Sequence, residues 1–336
     1  MSIPAVPDTM RALQQTSPHG PHDLHLVTDA PVPAPGPGEI LVRVTAAGVN
    51  YGDLMMAHGT YPDGPQPPFI GGFEAAGEVV AVGAGVSSPE IGAHVAGVTM
   101  GGGAYAEYLT LFAAAALPVP PGWRDDQALG LAVNWPTVLA ALKPLGRVAE
   151  GETVLIHAAA GATGQAAVTL AKHYGATVLA AASPGKHDVV RALGADHVLD
   201  SRSPDWAAEA LRLTDGQGVD LILAAAGGAA FEASLAAAKP VTGRVVVYGT
   251  IGGDASVSNR DLVFTHQVQV IGLNIGVVIQ RAPAVFGQVM AEMAALIGSG
   301  VIAPGDPVAH ALADGPKVLI DLENRVTSGK QVLLPR

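Results

Sequence analysis

The stretch HAAAGATGQ, residues 157 to 165, joins an apolar run, ETVLI, to a helical-looking one, AAVTLAKHYG. Gly161 and Gly164 let a backbone turn sharply and approach a ligand closely. The free N–H groups at the start of the following helix, from Ala162 and Thr163 onward, would then face the ligand. Such a turn suits an anion, and a pyrophosphate above all. The G-x-G-x-x-G spacing is incomplete, because Ala159 stands where its first glycine would be. A turn of this kind also occurs with no ligand, so its weight rests on the elements around it.

Those elements fit. Strand-like and helix-like segments alternate from ETVLIHAA onward: TGQAAVTLAKHYG, ATVLAAAS, GKHDVVRALG, HVLDS, PDWAAEALRL, VDLILAAA, GRVVVYG and VQVIGLN. Continuous apolar strands with crossover helices predict a parallel sheet covered on both faces. Six strands make a complete doubly wound nucleotide-binding domain. The second strand ends in AAASPGK. About 20 residues past the glycines, a carboxylate would bind the ribose 2′-hydroxyl of NAD. Here Ser183 and Lys186 stand in that neighbourhood, and a hydroxyl and an ammonium suit a 2′-phosphate. Arg202, just past the third strand, offers a second charge and Lys330 a third. The cofactor expected is NADPH.

The first third of the chain has a different texture. HLVTDAPV, EILVRVTAAGV, GEVVAVGAG, AHVAGVT and AEYLTL alternate with PAPGPGE, TYPDGPQPP and VSSPEIG. Short β runs between Gly/Pro turns predict a mostly antiparallel unit. Residues 1 to 9 read as a loose extension, and LGLAVNWPTVLAALKPLGRV as one long buried helix. Helices are expected around AVFGQVMAEMAALIGSG and KVLIDLENRV. The strand QVLLP should return to the first domain. The boundaries expected are 1–127 with 276–336 for the β domain, and 128–275 for the nucleotide domain.

Composition excludes several functions. The 336 residues are 49% hydrophobic and 14% charged, with a net charge of −11. That supplies a large core and argues against nucleic acid or an anionic membrane as partner. Zero cysteines rule out disulfides, thiolate nucleophiles and Cys-ligated zinc. No apolar stretch reaches spanning length, and MSIPAVPDTM lacks a signal-peptide pattern, so a cytoplasmic protein is expected. His19, His22 and His25 in HGPHDLH have metal-like spacing. Pro18, Gly20 and Pro21 forbid the helix that would align them, and the reading is exposed loop histidines with no metal.

Four stretches in order, AAGVNYGDLMMAHGTYP, GGFEAAGEVVAVG, GGGAYAEY and HAAAGATGQAAVTLAKHYGA, carry a resemblance. Together they resemble the zinc-independent quinone oxidoreductase branch of the medium-chain dehydrogenase/reductase superfamily, from about Met10 to the closing GKQVLLP. The resemblance implies a GroES-like, mostly antiparallel β domain built from both chain ends. A Rossmann domain would be inserted between them, with the active site in the cleft. It also implies a homodimer paired through VQVIGLN. Zinc alcohol dehydrogenases carry Cys and His where this chain has Asn50 and Phe73. Without a Lewis acid a conjugated acceptor is the easier substrate, because charge from the hydride spreads into an enolate or phenolate.

The resemblance also assigns roles. Asn50 would donate its amide to substrate or ribose, and Asp53 would hold that loop. Tyr61 and Thr137, the latter at a turn before a helix, would line the substrate pocket. Backbone at Ala225, Ala226, Gly249 and Asn274, at the ends of strands four to six, would border the nicotinamide. Glu74 reads as structural. Family members often carry a pocket Tyr where Met55 stands, beside Met56, which implies a greasier acceptor pocket. The reading is an NADPH-dependent reductase of quinones or activated C=C bonds. A pathway-specific enoyl reductase on a polyketide-like or acyl-thioester substrate, or a non-catalytic NADPH-binding sensor, remain open.

Overall fold

The computed structural model describes residues 6–99 and 101–336. Short, largely apolar runs between turns give β1 (Thr9–Gln15), β2 (Leu24–Pro31) and β3 (Glu39–Val49). A short helix, α1 (Tyr51–Ala57), follows β3 directly. Then come β4 (Phe69–Ile70), β5 (Glu74–Val82), β6 (His94–Val98), β7 (Tyr108–Phe112), β8 (Leu117–Pro118) and α2 (Asp125–Ala128). The alternating half of the chain runs α3 (Asn134–Ala140), β9 (Thr153–Ile156), α4 (Ala162–His173), β10 (Thr177–Ala182), α5 (His187–Ala192) and β11 (His197–Asp200). It continues with α6 (Trp206–Leu213), β12 (Leu221–Ala226), α7 (Gly228–Ala237), β13 (Arg244–Ile251), β14 (Gln269–Gly272), α8 (Ile275–Arg281) and α9 (Pro283–Gly298). The last elements are β15 (Val308–Ala311), α10 (Gly315–Glu323) and β16 (Gln331–Leu334).

The chain divides into two units, one running up to Val133 together with Pro304–Arg336, the other Asn134–Ala303. In the first, a seven-stranded sheet runs β15-β16-β3-β5-β6-β8, with β7 also paired to β3. All its pairs are antiparallel except β15 with β16. The expected return of the C-terminal strand is there: β16 pairs with β3, Gln331 opposite Val49. Inward-facing Leu13, Ile40, Val42, Val44, Tyr105 and Leu333 fill the core at 0% exposure. This is the GroES-like β unit.

The second unit is a six-stranded parallel sheet, ordered β11-β10-β9-β12-β13-β14. Strand order reverses between β9 and β12, the place where doubly wound sheets bind ligands at their carboxyl ends. Leu155, Ile156, Leu179, Leu221, Ile222 and Leu223 are fully buried, as strands covered on both faces must be.

Four details depart from the expectation. The helix expected from residue 128 begins at Asn134, after a turn at Gly130 with φ 99°. It then opens into a wide turn at Ala141–Leu145, because Pro144 has no N–H to continue the ladder. Residues 276–303 belong with the parallel sheet, because α9 packs on α3. Strand β15 and helices α1 and α8 were not foreseen, being too short to show a period. Of the expected N-terminal extension, residues 1–5 lie outside the described residues, and Thr9 is already in β1.

Candidate active site

The glycine turn closes β9 onto α4. Ala158 takes a left-handed φ of 49°, and Gly161 caps the helix in extended backbone. The two glycines do different work. A Cβ on Gly164 would lie 2.2 Å from the Ala158 carbonyl oxygen and 2.6 Å from Ala159 Cα, so only glycine allows this close packing of helix on strand. A Cβ on Gly161 would meet only the Ala158 oxygen, at 3.4 Å, and points into open space. The side of the turn at Gly161 is therefore the one a ligand can approach. Asn134 Nδ2 donates to Thr163 Oγ1 at 2.9 Å and fixes that hydroxyl at the helix start. Sequence reasoning missed Asn134, whose signal is only a polar residue opening the buried α3.

At the carboxyl end of β10, Ser183 opens a tight turn through Pro184–Lys186. The Lys186 ammonium is held below its usual range, by burial first and then by the like charge of Arg202. Lys186 and Arg202 thus lie near enough beyond β10 and β11 to influence each other. Ala225 is buried and Ala226 half-buried at the end of β12. A Cβ on Gly249 would come 2.6 Å from the Ala225 oxygen, so β12 and β13 ends lie close. The Asn274 side chain is committed to capping α8, accepting from the N–H groups of Gly276 and Val277 at 2.9 and 3.3 Å. Thr137 lies within α3 and not at a turn before it, because Pro136 fits the first turn of that helix.

The other expected residues gather in the β unit. Asn50 caps α1, and Asp53 Oδ2 accepts its backbone N–H at 2.7 Å. The Asn50 side chain turns inward: Nδ2 donates to Glu74 at 2.9 Å and Oδ1 accepts from Lys330 Nζ at 2.9 Å. Glu74, at 0% exposure, also accepts from Lys330 and from the Gly130 N–H. Glu74 is thus the structural carboxylate expected. Lys330 is paired with a buried carboxylate and the Asn50 amide is engaged by its own chain. Burial is the reason for both, since a buried charge needs a partner.

Tyr61 begins the turn after α1, half-buried. Burial, and then the Asp53 charge, raises its phenol above the usual range. Met55 is half-buried and Met56 packs into the core, so only Met55 remains for a greasy surface. His19, His22 and His25 are exposed, as read. His157 is buried edge-on to Trp206, with Nε2 3.1 Å from Ser234 Oγ.

Comparison with known proteins then decides the family. The Zinc-binding dehydrogenase family matches residues 162–295, and the Alcohol dehydrogenase GroES-like domain matches residues 36–121. A quinone oxidoreductase of Pseudomonas syringae is 32% identical with a TM-score of 0.90, over 97% of this chain and 100% of that one. The chain belongs to the quinone oxidoreductase branch of the medium-chain dehydrogenase/reductase superfamily. It is an oxidoreductase of that superfamily. The Escherichia coli quinone oxidoreductase, solved with NADPH, is 28% identical with a TM-score of 0.89, over 97% of this chain and 100% of that one. A mycocerosic acid synthase-like polyketide synthase of Mycobacterium tuberculosis is 34% identical over 302 residues, 89% of this chain. This oxidoreductase spans only 14% of the length of that relative. Among the described residues of this oxidoreductase, no helix is long and apolar enough to cross a membrane.

Proposed function

We propose that the chain is an NADPH-dependent reductase of quinones and activated C=C bonds that works without zinc. The observation that carries the reading is the placement of two cations, Lys186 and Arg202, near each other just past the carboxyl ends of β10 and β11. They fit a 2′-phosphate, and the open flank of Gly161 fits a pyrophosphate on the amides of Ala162, Thr163 and Gly164. The kinship with a quinone oxidoreductase that binds NADPH supports this. When bound, the nicotinamide supplies the hydride. Ser183 adds a hydroxyl to the phosphate end. Backbone at Ala225, Ala226, Gly249 and Asn274 borders the ring end, where ligands of such sheets collect.

The β unit orients the acceptor. Glu74 and Lys330 fix Asn50, and Asp53 fixes the turn that leads to Tyr61. With its phenol raised above the usual range, Tyr61 stays protonated at neutral pH. It can donate a hydrogen bond to an oxygen gaining charge, and such a donor stabilises an enolate or phenolate without a metal. Thr137 lines the pocket. Asn50, Phe73 and the lack of any cysteine leave no soft ligand set for zinc at the positions that zinc relatives use.

One observation favours a second acceptor class. The likeness to polyketide synthases over 302 residues suits an enoyl thioester, whose C=C bond is activated in the same way. NADPH oxidation followed with a panel of quinones, enones and enoyl thioesters tests both. Turnover of quinones and enones supports the first class, and turnover of thioesters alone the second. Tight NADPH binding with no turnover would leave only a sensor.

The chain also pairs with itself in this reading. Strand β14 is a sheet edge. Around it Phe264 is 75% exposed, with Val263, Val270 and Val277 exposed beside it in sequence. A second copy adding its own β14 would cover an otherwise unprotected edge.

A further inference from the structure

Asp53 and Tyr105 each carry a buried polar atom that no protein group satisfies. Asp53 is 3% exposed and Tyr105 0%. One Asp53 oxygen holds the Asn50 N–H, but Oδ1 has no hydrogen-bond partner, and neither has the Tyr105 hydroxyl. The Tyr105 hydroxyl lies near enough to Asp53 to favour its ionised form, though no direct hydrogen bond closes between them. Both line one small cavity of about 10 Å³, whose walls include Gln15, Met56, Gly72 and Leu319. The ring of Tyr105 is held on glycine backbone: a Cβ on Gly72 would lie 2.3 Å from a ring carbon, so nothing larger fits beneath it. A cavity of this size holds about one water molecule, and a buried water needs at least two polar partners.

We propose that one water binds in this cavity between the Tyr105 hydroxyl and Asp53 Oδ1, and that Tyr105 is a positioning residue for the Asn50 turn. The contacts run from Tyr105 through the water to the Asp53 carboxyl, and on to the Asn50 N–H. The Asn50 side chain is in turn held between Glu74 and Lys330. The groups facing Asp53 are the Asn50 N–H, Tyr105, Lys330, Glu74 and Tyr61. Of these, the backbone N–H, the Tyr105 hydroxyl and Lys330 favour the ionised carboxylate, and Glu74 opposes it. A tyrosine here thus sets how firmly Asp53 grips the turn. The consequence for turnover rests on the reductase reading above, and the water bridge itself does not.

Tyr105→Phe removes the hydroxyl and keeps the ring. A high-resolution crystal structure of the wild type should show a water within hydrogen-bond distance of both groups, and the variant should lose it. Carboxyl ¹³C NMR, assigned with Asp53→Asn, should show Asp53 titrating at higher pH in Tyr105→Phe. The variant should raise KM for the acceptor about 5-fold, the worth of one hydrogen bond, with NADPH Kd unchanged. A dry cavity in the wild type would overturn the proposal even if the variant failed to fold. An unmoved Asp53 titration, or an unchanged KM, would overturn it as well. A protein that bound the water and shifted Asp53 but reduced no acceptor would refute the proposed function and leave the bridge standing.

Discussion

Lys186 carries the choice of cofactor. It repels Arg202 in the free protein, so a 2′-phosphate gains from both charges. A charge-assisted bond is worth about 1.5–3 kcal/mol, so Lys186→Ala should raise KM for NADPH about 10- to 100-fold and leave KM for NADH near its value. Steady-state kinetics with both cofactors measures this, and equal effects would remove the 2′-phosphate argument. Lys330 should behave differently. Its ammonium neutralises Glu74, which is fully buried. Removing one member of a buried pair costs about 3–5 kcal/mol, so Lys330→Met should lower stability sharply in a urea melt. Any loss of cofactor affinity should then be the same for NADPH and NADH. The turn that carries Ser183 and Lys186 was legible because the strand before it is read in the same window. The Asn50–Lys330 contact was not, since it spans 280 residues and depends on where the C-terminal strand returns.

At the scale of the element, the glycine turn separates folding from binding. Gly164→Val would drive a methyl into the Ala158 carbonyl and should destabilise the β9–α4 unit by more than the usual 1–3 kcal/mol of overpacking. Gly161→Val has room for its side chain in the free protein and should melt near the wild-type temperature, yet lose NADPH binding. Thermal melts with and without NADPH check both, and Gly161→Val with intact affinity would place the phosphate elsewhere. The sheet was readable because buried parallel strands are uniformly apolar and their helices long. Helix α1 was not, because seven residues carry too little period. The start of α3 was misplaced because Pro136 and the turn at Gly130 divide one apolar run in two.

Across the whole molecule, two buried groups set opposing responses to pH. Burial lifts the Asp53 carboxyl from its usual 3.8 to about 7. Between those values the folded chain keeps a proton that the unfolded chain has released, so stability falls as pH rises, by about 4 kcal/mol over the window. Burial lowers the His157 imidazole from 6.5 to about 4. There the unfolded chain binds a proton that the folded chain refuses, so stability rises with pH, by about 3 kcal/mol. The two nearly cancel. Denaturant melts of Asp53→Asn at pH 4.5 and 6.5 should therefore show a rise with pH steeper than the wild type's, and an unchanged slope would mean that Asp53 is ionised throughout. The exposed edge predicts a dimer that Val270→Asp dissociates, measured by sedimentation, and a monomeric wild type would refute the pairing. Domain order was legible from the shift in texture near residue 128. The allegiance of residues 276–303 was not, because only their packing on α3 assigns them.

The central claim is that this chain grips NADPH through the Gly161 turn and the Lys186–Arg202 pair. Titrating the purified protein with NADPH and NADH, and following nicotinamide fluorescence, tests it most directly. The account predicts saturable binding of one NADPH per chain, at least about 10-fold tighter than NADH, in line with a charge-assisted phosphate contact. Binding of neither dinucleotide, or of both with equal affinity, would contradict it.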